Sequence, residues 1–192
     1  MNEAPSQQHP PDTNSGYPDP TPMNEVLVRW NSLDADAAAR EVLPCCGSQA
    51  WAAALSAKRP IADEATLVEA STTVWWSLSG QAWREAFNSH PRIGQKQAAS
   101  HATAESRRWS AKEQQNVSSD DAAKSALQEA NHRYEQKFGR IFIVCATGKS
   151  SAEILNILEA RMQNDDATEL REAAEQQSQI THLRLKKWLH GS

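Results

Sequence analysis

From Met23 onward, apolar residues recur at three- and four-residue intervals over most of the chain, a spacing that predicts helices. Val26, Leu27 and Trp30 open the series. Ala37 to Leu43 predicts a second short helix, expected to stop at Pro44, which has no N–H to continue the ladder. Ser48 to Leu55 is rich in strong helix formers. Ile61 to Leu78 carries Leu67, Val68, Val74, Trp75 and Trp76 and predicts another helix. Ser79 to Phe87 gives one more, ended by His90-Pro91, because the residue before a proline is held extended or in a turn. Gly94 then offers a freer backbone.

The pattern lapses from Gln95 to Ser106, a polar stretch expected to be a loop running into a helix over about Arg107–Val117. Ser119, Asp120 and Asp121 supply an N-cap and favourable charge for a long helix to about Lys137, with Leu127, Ala130 and Tyr134 on its stripe and Gly139 at its end. Ile141 to Ala146 is the most apolar run of all. Its β-branched residues would suit a strand, but no partner strand is evident. We expect a buried extended segment there, or the buried start of a helix. Ser150 and Glu153 form a capping box ahead of Ile154, Leu155, Ile157, Leu158 and Met162. A last helix runs from about Asp166 to Leu189. The sum is an all-α domain of eight or nine helices, over residues 23–190. The tryptophans read as core anchors, since large aromatics bury large areas.

Composition changes this picture at one end. Six of the nine prolines lie within residues 1–22, which hold no Lys or Arg, so that segment is expected to be a flexible tail. A formal net charge of -4 carries no electrostatic footprint for nucleic acid. No apolar run is long enough for a membrane span, and no secretory signal is evident at the N-terminus. The three cysteines, Cys45, Cys46 and Cys145, suggest neither a disulfide framework nor C-x-x-C chemistry. A cytoplasmic location is the default expectation.

Several constellations can carry chemistry. Gly148-Lys149-Ser150 hints at a phosphate loop, but Ile143 stands where that motif needs its first glycine. The histidines show no metal-ligand spacing, and Cys45-Cys46 is too tight for an ordinary tetrahedral pair. No metal site is expected. His90 sits at a rigid corner, with Arg92 beside it as an expected fixed cation. Glu113 and Gln114 put a carboxylate and an amide side by side, near an expected helix start. In the last helix Ala173, Gln177, Ile180, Arg184 and Trp188 share a face, so Arg184 interrupts a core-directed stripe. A guanidinium facing inward must be paired. It either makes an ordinary salt bridge or clamps a bound anion. His90, Glu113 and Arg184 together would form an acid/base, a carboxylate and an anion clamp, if the fold brings them together.

Over about Met23 to Leu189 the chain resembles the 2-oxo-4-hydroxy-4-carboxy-5-ureidoimidazoline (OHCU) decarboxylase family of the route from urate to allantoin. The residues that carry the resemblance are Ser89-His90-Pro91-Arg92-Ile93-Gly94, Ser110-x-x-Glu113-Gln114, Tyr134-x-x-Lys137-Phe138-Gly139-x-x-Phe142-Ile143-Val144-Cys145-Ala146 and Ile180-x-x-Leu183-Arg184-Leu185. It implies an all-helical enzyme, usually a homodimer, that uses no cofactor and acts on a small molecule. His90 would be the catalytic proton donor, Glu113 its partner carboxylate and Arg184 the substrate-binding arginine. Pro91, Ser110, Gln114 and the backbone of Phe142, Ile143, Val144, Cys145 and Ala146 would contact substrate. Arg140-Ile141 stands where some members carry Phe-Pro, and Arg92 where Asp is common. Two other readings are a non-catalytic helical interaction module and a lyase acting on a related ureido acid.

Overall fold

The computed structural model describes residues 24–93, 103–115 and 121–191. The proline-rich stretch, most of the polar loop, Gly94 and the cap residues Ser119 and Asp120 lie outside them. Among the described residues there are nine helices and no strand: α1 Glu25–Ser32, α2 Ala35–Cys46, α3 Gln49–Ser56, α4 Glu64–Ser77, α5 Gly80–Asn88, α6 Ala104–Glu113, α7 Asp121–Phe138, α8 Ser151–Arg161 and α9 Asp166–His190. None of them is long and apolar enough to cross a membrane. Side-chain caps start seven of the nine in a common way. Asn24, Asp34, Ser48, Asp63, Ser79, Thr103 and Asp165 each accept a hydrogen bond from a first-turn N–H, and Ser150 adds the full capping box with Glu153 at α8.

Several boundaries differ from the sequence expectation, among them those of α2 and α6. Pro44 lies inside α2, not after it, and the helix ends at Gly47, with a left-handed φ of 86°. The bond Pro44 cannot make would have gone to the carbonyl of Arg40, an exposed residue that water can serve, while Pro44, Cys45 and Cys46 are buried. α6 starts three residues earlier than expected, because Thr103 caps it, and stops at Glu113.

Gly47 is also where the end of α2 passes the end of α5. A Cβ there would sit 2.1 Å from Ser89 Oγ, next to His90. Gly47→Ala should therefore lower the urea unfolding free energy by about 1–3 kcal/mol, from an unfavourable φ and the forced shift of Ser89. An unchanged midpoint would show that the two helix ends are not packed this closely.

Buried side chains form two clusters. The larger joins α1 to α5 with α9, around Trp30, Trp51 and Trp75. Trp30 and Trp75 are fixed further by their indole N–H groups, which donate to Ala38 O and Ala174 O. The smaller joins α7 and α8 with Ile93. Between them runs Ile141 to Ala146, extended and without regular structure. Ile143 and Cys145 point into the larger cluster, and Phe142, Val144 and Ala146 into the smaller. That is the period-two alternation of an extended chain, with both faces buried, which is why the run is apolar throughout.

Buried ions hold this segment. Glu169, fully buried at the start of α9, accepts hydrogen bonds from Arg161, Tyr134 and Asn164. Arg161 Nη1 in turn donates to Ile143 O at 2.8 Å. Arg140, the departure from Phe-Pro, is itself structural: it donates to Phe138 O at 3.2 Å and to Asp166 Oδ1 at 2.6 Å.

Candidate active site

The end of α5 sets the first wall. Its last turn closes with Ser89 N–H on Ala86 O and His90 N–H on Phe87 O, and Pro91 prevents another turn. This aims the imidazole into a concavity that Pro91 and Ile93 also line. The second wall is α6, which contributes Ser110, Glu113 and Gln114. The third is the extended segment, through Phe142, Ile143, Val144 and Ala146, with Thr147 after it and Ile180 of α9 at the base.

Glu113 and Gln114 stand at the end of α6, not near its start. A helix C-terminus disfavours a carboxylate, so this one needs cations. It has two. Arg184 grips it with Nε on Oε1 at 3.1 Å and Nη2 on Oε2 at 2.9 Å, and Lys187 Nζ lies 3.2 Å from Oε1. Burial pushes Glu113 up, but Arg184 and then Lys187 outweigh it and hold the carboxyl below its ordinary range.

Arg184 is completely buried, and its remaining donors are also engaged. Nη2 donates to Ser110 Oγ at 2.9 Å, and Nη1 to Ser106 Oγ at 3.2 Å and Pro44 O at 3.4 Å. Ser106, Ser110 and Glu113 are spaced i, i+4, i+7, so one face of α6 matches the guanidinium fork. Of the two alternatives left by the sequence, the geometry is the salt bridge: the fork is filled by Glu113, and Arg184 stands behind the carboxylate without lining the concavity.

His90 is half-buried as a residue, but its Nε2 is fully enclosed. Burial, and then the charge of Arg184, push its pKa down to about 3, with Glu113 and Gln177 pulling the other way. The imidazole is therefore neutral at neutral pH. The cation acting on it is not Arg92, which pairs with Glu135 of α7 at 2.5 and 2.9 Å on an exposed face. Sequence adjacency put Arg92 beside the ring, but adjacent residues of the Pro91-Arg92-Ile93 run point to opposite sides, and it is Pro91 and Ile93 that take the cavity side.

The backbone of the extended segment is only partly committed. Among the described residues, the N–H groups of Phe142, Ile143, Val144 and Ala146 have no hydrogen-bond partner. That of Cys145 does: it donates to Gln176 Oε1 at 3.0 Å, and Cys145 is absent from the concavity's lining. Of the eleven expected site residues, Cys145 and Arg184 are thus set back from the cavity surface. Ile93, Thr147 and Ile180 line it without having been singled out for it. Among the described residues no group of three or more His, Cys, Asp or Glu side chains could hold a metal ion.

The depressed His90 pKa has a measurable consequence. The unfolded chain binds a proton at His90 below pH 6.5, while the folded one resists until about 3. The stability that the neutral ring contributes is complete above the unfolded value and is lost as pH falls across this window, by up to about 1.4 kcal/mol per pH unit. Urea unfolding of His90→Asn at pH 7, 6 and 5 should decline less steeply than wild type. His182, shifted in the same direction, is common to both proteins and cancels. Equal slopes would mean that the folded ring protonates freely.

Comparison with known proteins gives a consistent result. Residues 31–186 match the OHCU decarboxylase family model. The chain is 38% identical over 146 residues to the uric acid degradation bifunctional protein TTL of Arabidopsis thaliana, covering 74% of this chain and 44% of that one. It therefore spans less than half the length of that curated relative. A crystal structure of OHCU decarboxylase in the presence of (S)-allantoin is similar, with a TM-score of 0.68 and 33% identity, covering 78% of this chain and 97% of that chain. A crystal structure of (S)-allantoin synthase shares the fold at a TM-score of 0.63 and 20% identity, covering 84% of this chain and 53% of that chain. With a family match that takes in both the His90 corner and Arg184, the chain belongs to the OHCU decarboxylase family.

Proposed function

We propose that this protein is a carboxy-lyase that converts OHCU to (S)-allantoin in urate breakdown. The observation that carries the reading is the meeting of His90 and Glu113 across one small concavity from a wall of uncommitted backbone N–H groups, in a chain of this family. Cleavage of the bond to the carboxylate releases carbon dioxide and leaves an electron pair on the ring, which the adjacent C=N of the imidazoline takes up. The nitrogen of that former C=N gains a proton, the hydroxyl on the decarboxylated carbon loses its own to become a carbonyl, and the neighbouring carbon, which bears the ureido group, gains one. From the carboxylate anion, one proton is consumed overall.

His90 suits the proton transfer. Being neutral, it must first take a proton, and the hydroxyl is the group that gives one up; returning it to one face of the ring carbon sets the handedness of the product. Bound anionic substrate favours the charged ring and so raises its basicity for that step. Glu113 adds to the same effect. Arg184 acts through it, keeping the carboxylate ionised and aimed, while Ser110, Gln114 and the N–H groups of Phe142, Ile143, Val144 and Ala146 meet the polar edges of the substrate. A homodimer and a cytoplasmic location belong to the same reading on family resemblance, and light scattering of the purified protein tests the first.

The test is to generate OHCU in place from urate and follow circular dichroism of the product. Rapid growth of the (S)-allantoin signal is expected. A slow, optically silent background unchanged by the protein would favour an interaction module, and turnover of a related ureido acid alone would favour the other lyase reading.

A further inference from the structure

We propose that Gln177 is a positioning residue that fixes the tautomer of His90, keeping the proton on Nε2 so that Nδ1 is the nitrogen that exchanges protons with substrate. The inference rests on the reading that His90 carries proton transfer. Its basis is a pair of buried polar atoms. His90 Nε2 and Gln177 Oε1 are both enclosed, and among the described residues neither makes a hydrogen bond of full geometry with any group, the other included. Yet the two side chains interact, with Gln177 favouring the protonated ring, as an acceptor does. A buried donor and a buried acceptor without other partners are costly unless they serve each other.

The orientation of the Gln177 amide is not arbitrary. Its Nε2 faces Cys46 O and Thr181 Oγ1, both at 3.3 Å. A carbonyl oxygen can only accept. Thr181 has its own proton committed to Gln177 O at 2.9 Å, so its hydroxyl accepts as well. Both neighbours therefore demand the NH2 end of the amide, and the carbonyl end is left on the side of His90. An imidazole nitrogen facing a carbonyl oxygen must carry hydrogen. With one ring nitrogen holding that hydrogen, the other keeps its lone pair and is the base. The ring lines the concavity while Nε2 is sealed away from it, which leaves Nδ1 for the substrate. Glu113 of α6 and Arg184 of α9 bias the charge of the ring but leave the choice of nitrogen to Gln177.

The experiment is long-range proton–nitrogen NMR of the 15N-labelled full chain at pH 7.5, with the His90 signals assigned by their loss in His90→Asn. Wild-type His90 should show a pyrrole-like Nε2 and a pyridine-like Nδ1. Gln177→Met keeps the volume and removes the acceptor; it should mix or reverse that pattern and lower kcat roughly 10- to 100-fold with KM changed less than about twofold. Gln177→Glu keeps an acceptor and should restore both the pattern and most of kcat. A proton on Nδ1 in the wild type overturns the inference whatever the variants do. So does a Gln177→Met protein with unchanged tautomer and kcat. Because the spectrum needs no substrate, a protein with the expected tautomer and no decarboxylase activity would remove the proposed function and leave the role of Gln177 standing.

Discussion

Replacing His90 by asparagine lowers kcat for OHCU about 10³-fold, and the allantoin that still forms is racemic. The expectation follows from where the ring sits. It closes one end of the concavity, it is neutral, and among the described residues no other titratable side chain on the lining except Glu113 can move a proton. Glu113 is held ionised by Arg184 and Lys187, so it is a poor donor at neutral pH. Asparagine fills similar space and can still hydrogen-bond, but it cannot accept a proton and return it. Helical content should be unchanged, since the α5 end is set by its backbone bonds and by Pro91. Steady-state rates together with product circular dichroism check both parts. Full activity in this variant would remove the ring from the reaction.

Replacing Arg184 by leucine costs the fold first and the reaction second. The substitution leaves the Glu113 carboxylate, nine-tenths buried at a helix C-terminus, with only Lys187 for company. Breaking one side of a buried pair typically costs about 3–5 kcal/mol, because the remaining charge is stranded. For a chain of this size that is a fall in Tm of roughly 10 °C. Ser106, Ser110 and Pro44 O lose their donor as well. The double variant Glu113→Gln/Arg184→Leu removes the stranded charge and should recover part of the loss, so the two changes are not additive. An Arg184→Leu protein with an unchanged Tm and a raised KM alone would instead make Arg184 a direct anion clamp. The distinction matters because the family resemblance makes Arg184 the substrate-binding arginine, and leucine there would then be mainly a binding defect.

How far the sequence reached depends on the range of the interactions involved. Most helix starts were legible, because a cap is a contact between residues two or three apart; Ser150 with Glu153 is the plain case, and Thr103 at α6 the cap that went unread. Helix stops were less so. Pro44 carries the local signature of an end, yet the burial of Pro44, Cys45 and Cys46 against the larger cluster carries α2 to Gly47. The run from Ile141 to Ala146 was visibly buried, but its extended form depends on two separate cores taking alternate side chains, which no local pattern announces. Among the site residues, Arg92 and Arg184 make the sharpest contrast. Nearness in the chain favoured Arg92; nearness in space belongs to Arg184.

By itself, then, the order of residues determined the helical class, most helix origins, the inward direction of Arg184 and the family motifs that point to His90 and Glu113. These follow from short-range periodicity and from the cost of burying charge, both of which can be read along one strand of text. Only the tertiary structure decided that Arg184 spends its donors on Glu113 and on Ser106 and Ser110, and that Gln177 comes within reach of His90. Such pairings join residues 71 to 78 positions apart, or 87 in the last case, and follow from which helix faces meet. Side-chain donors and acceptors have no partner until packing excludes water from them, so their assignments belong to the assembled molecule.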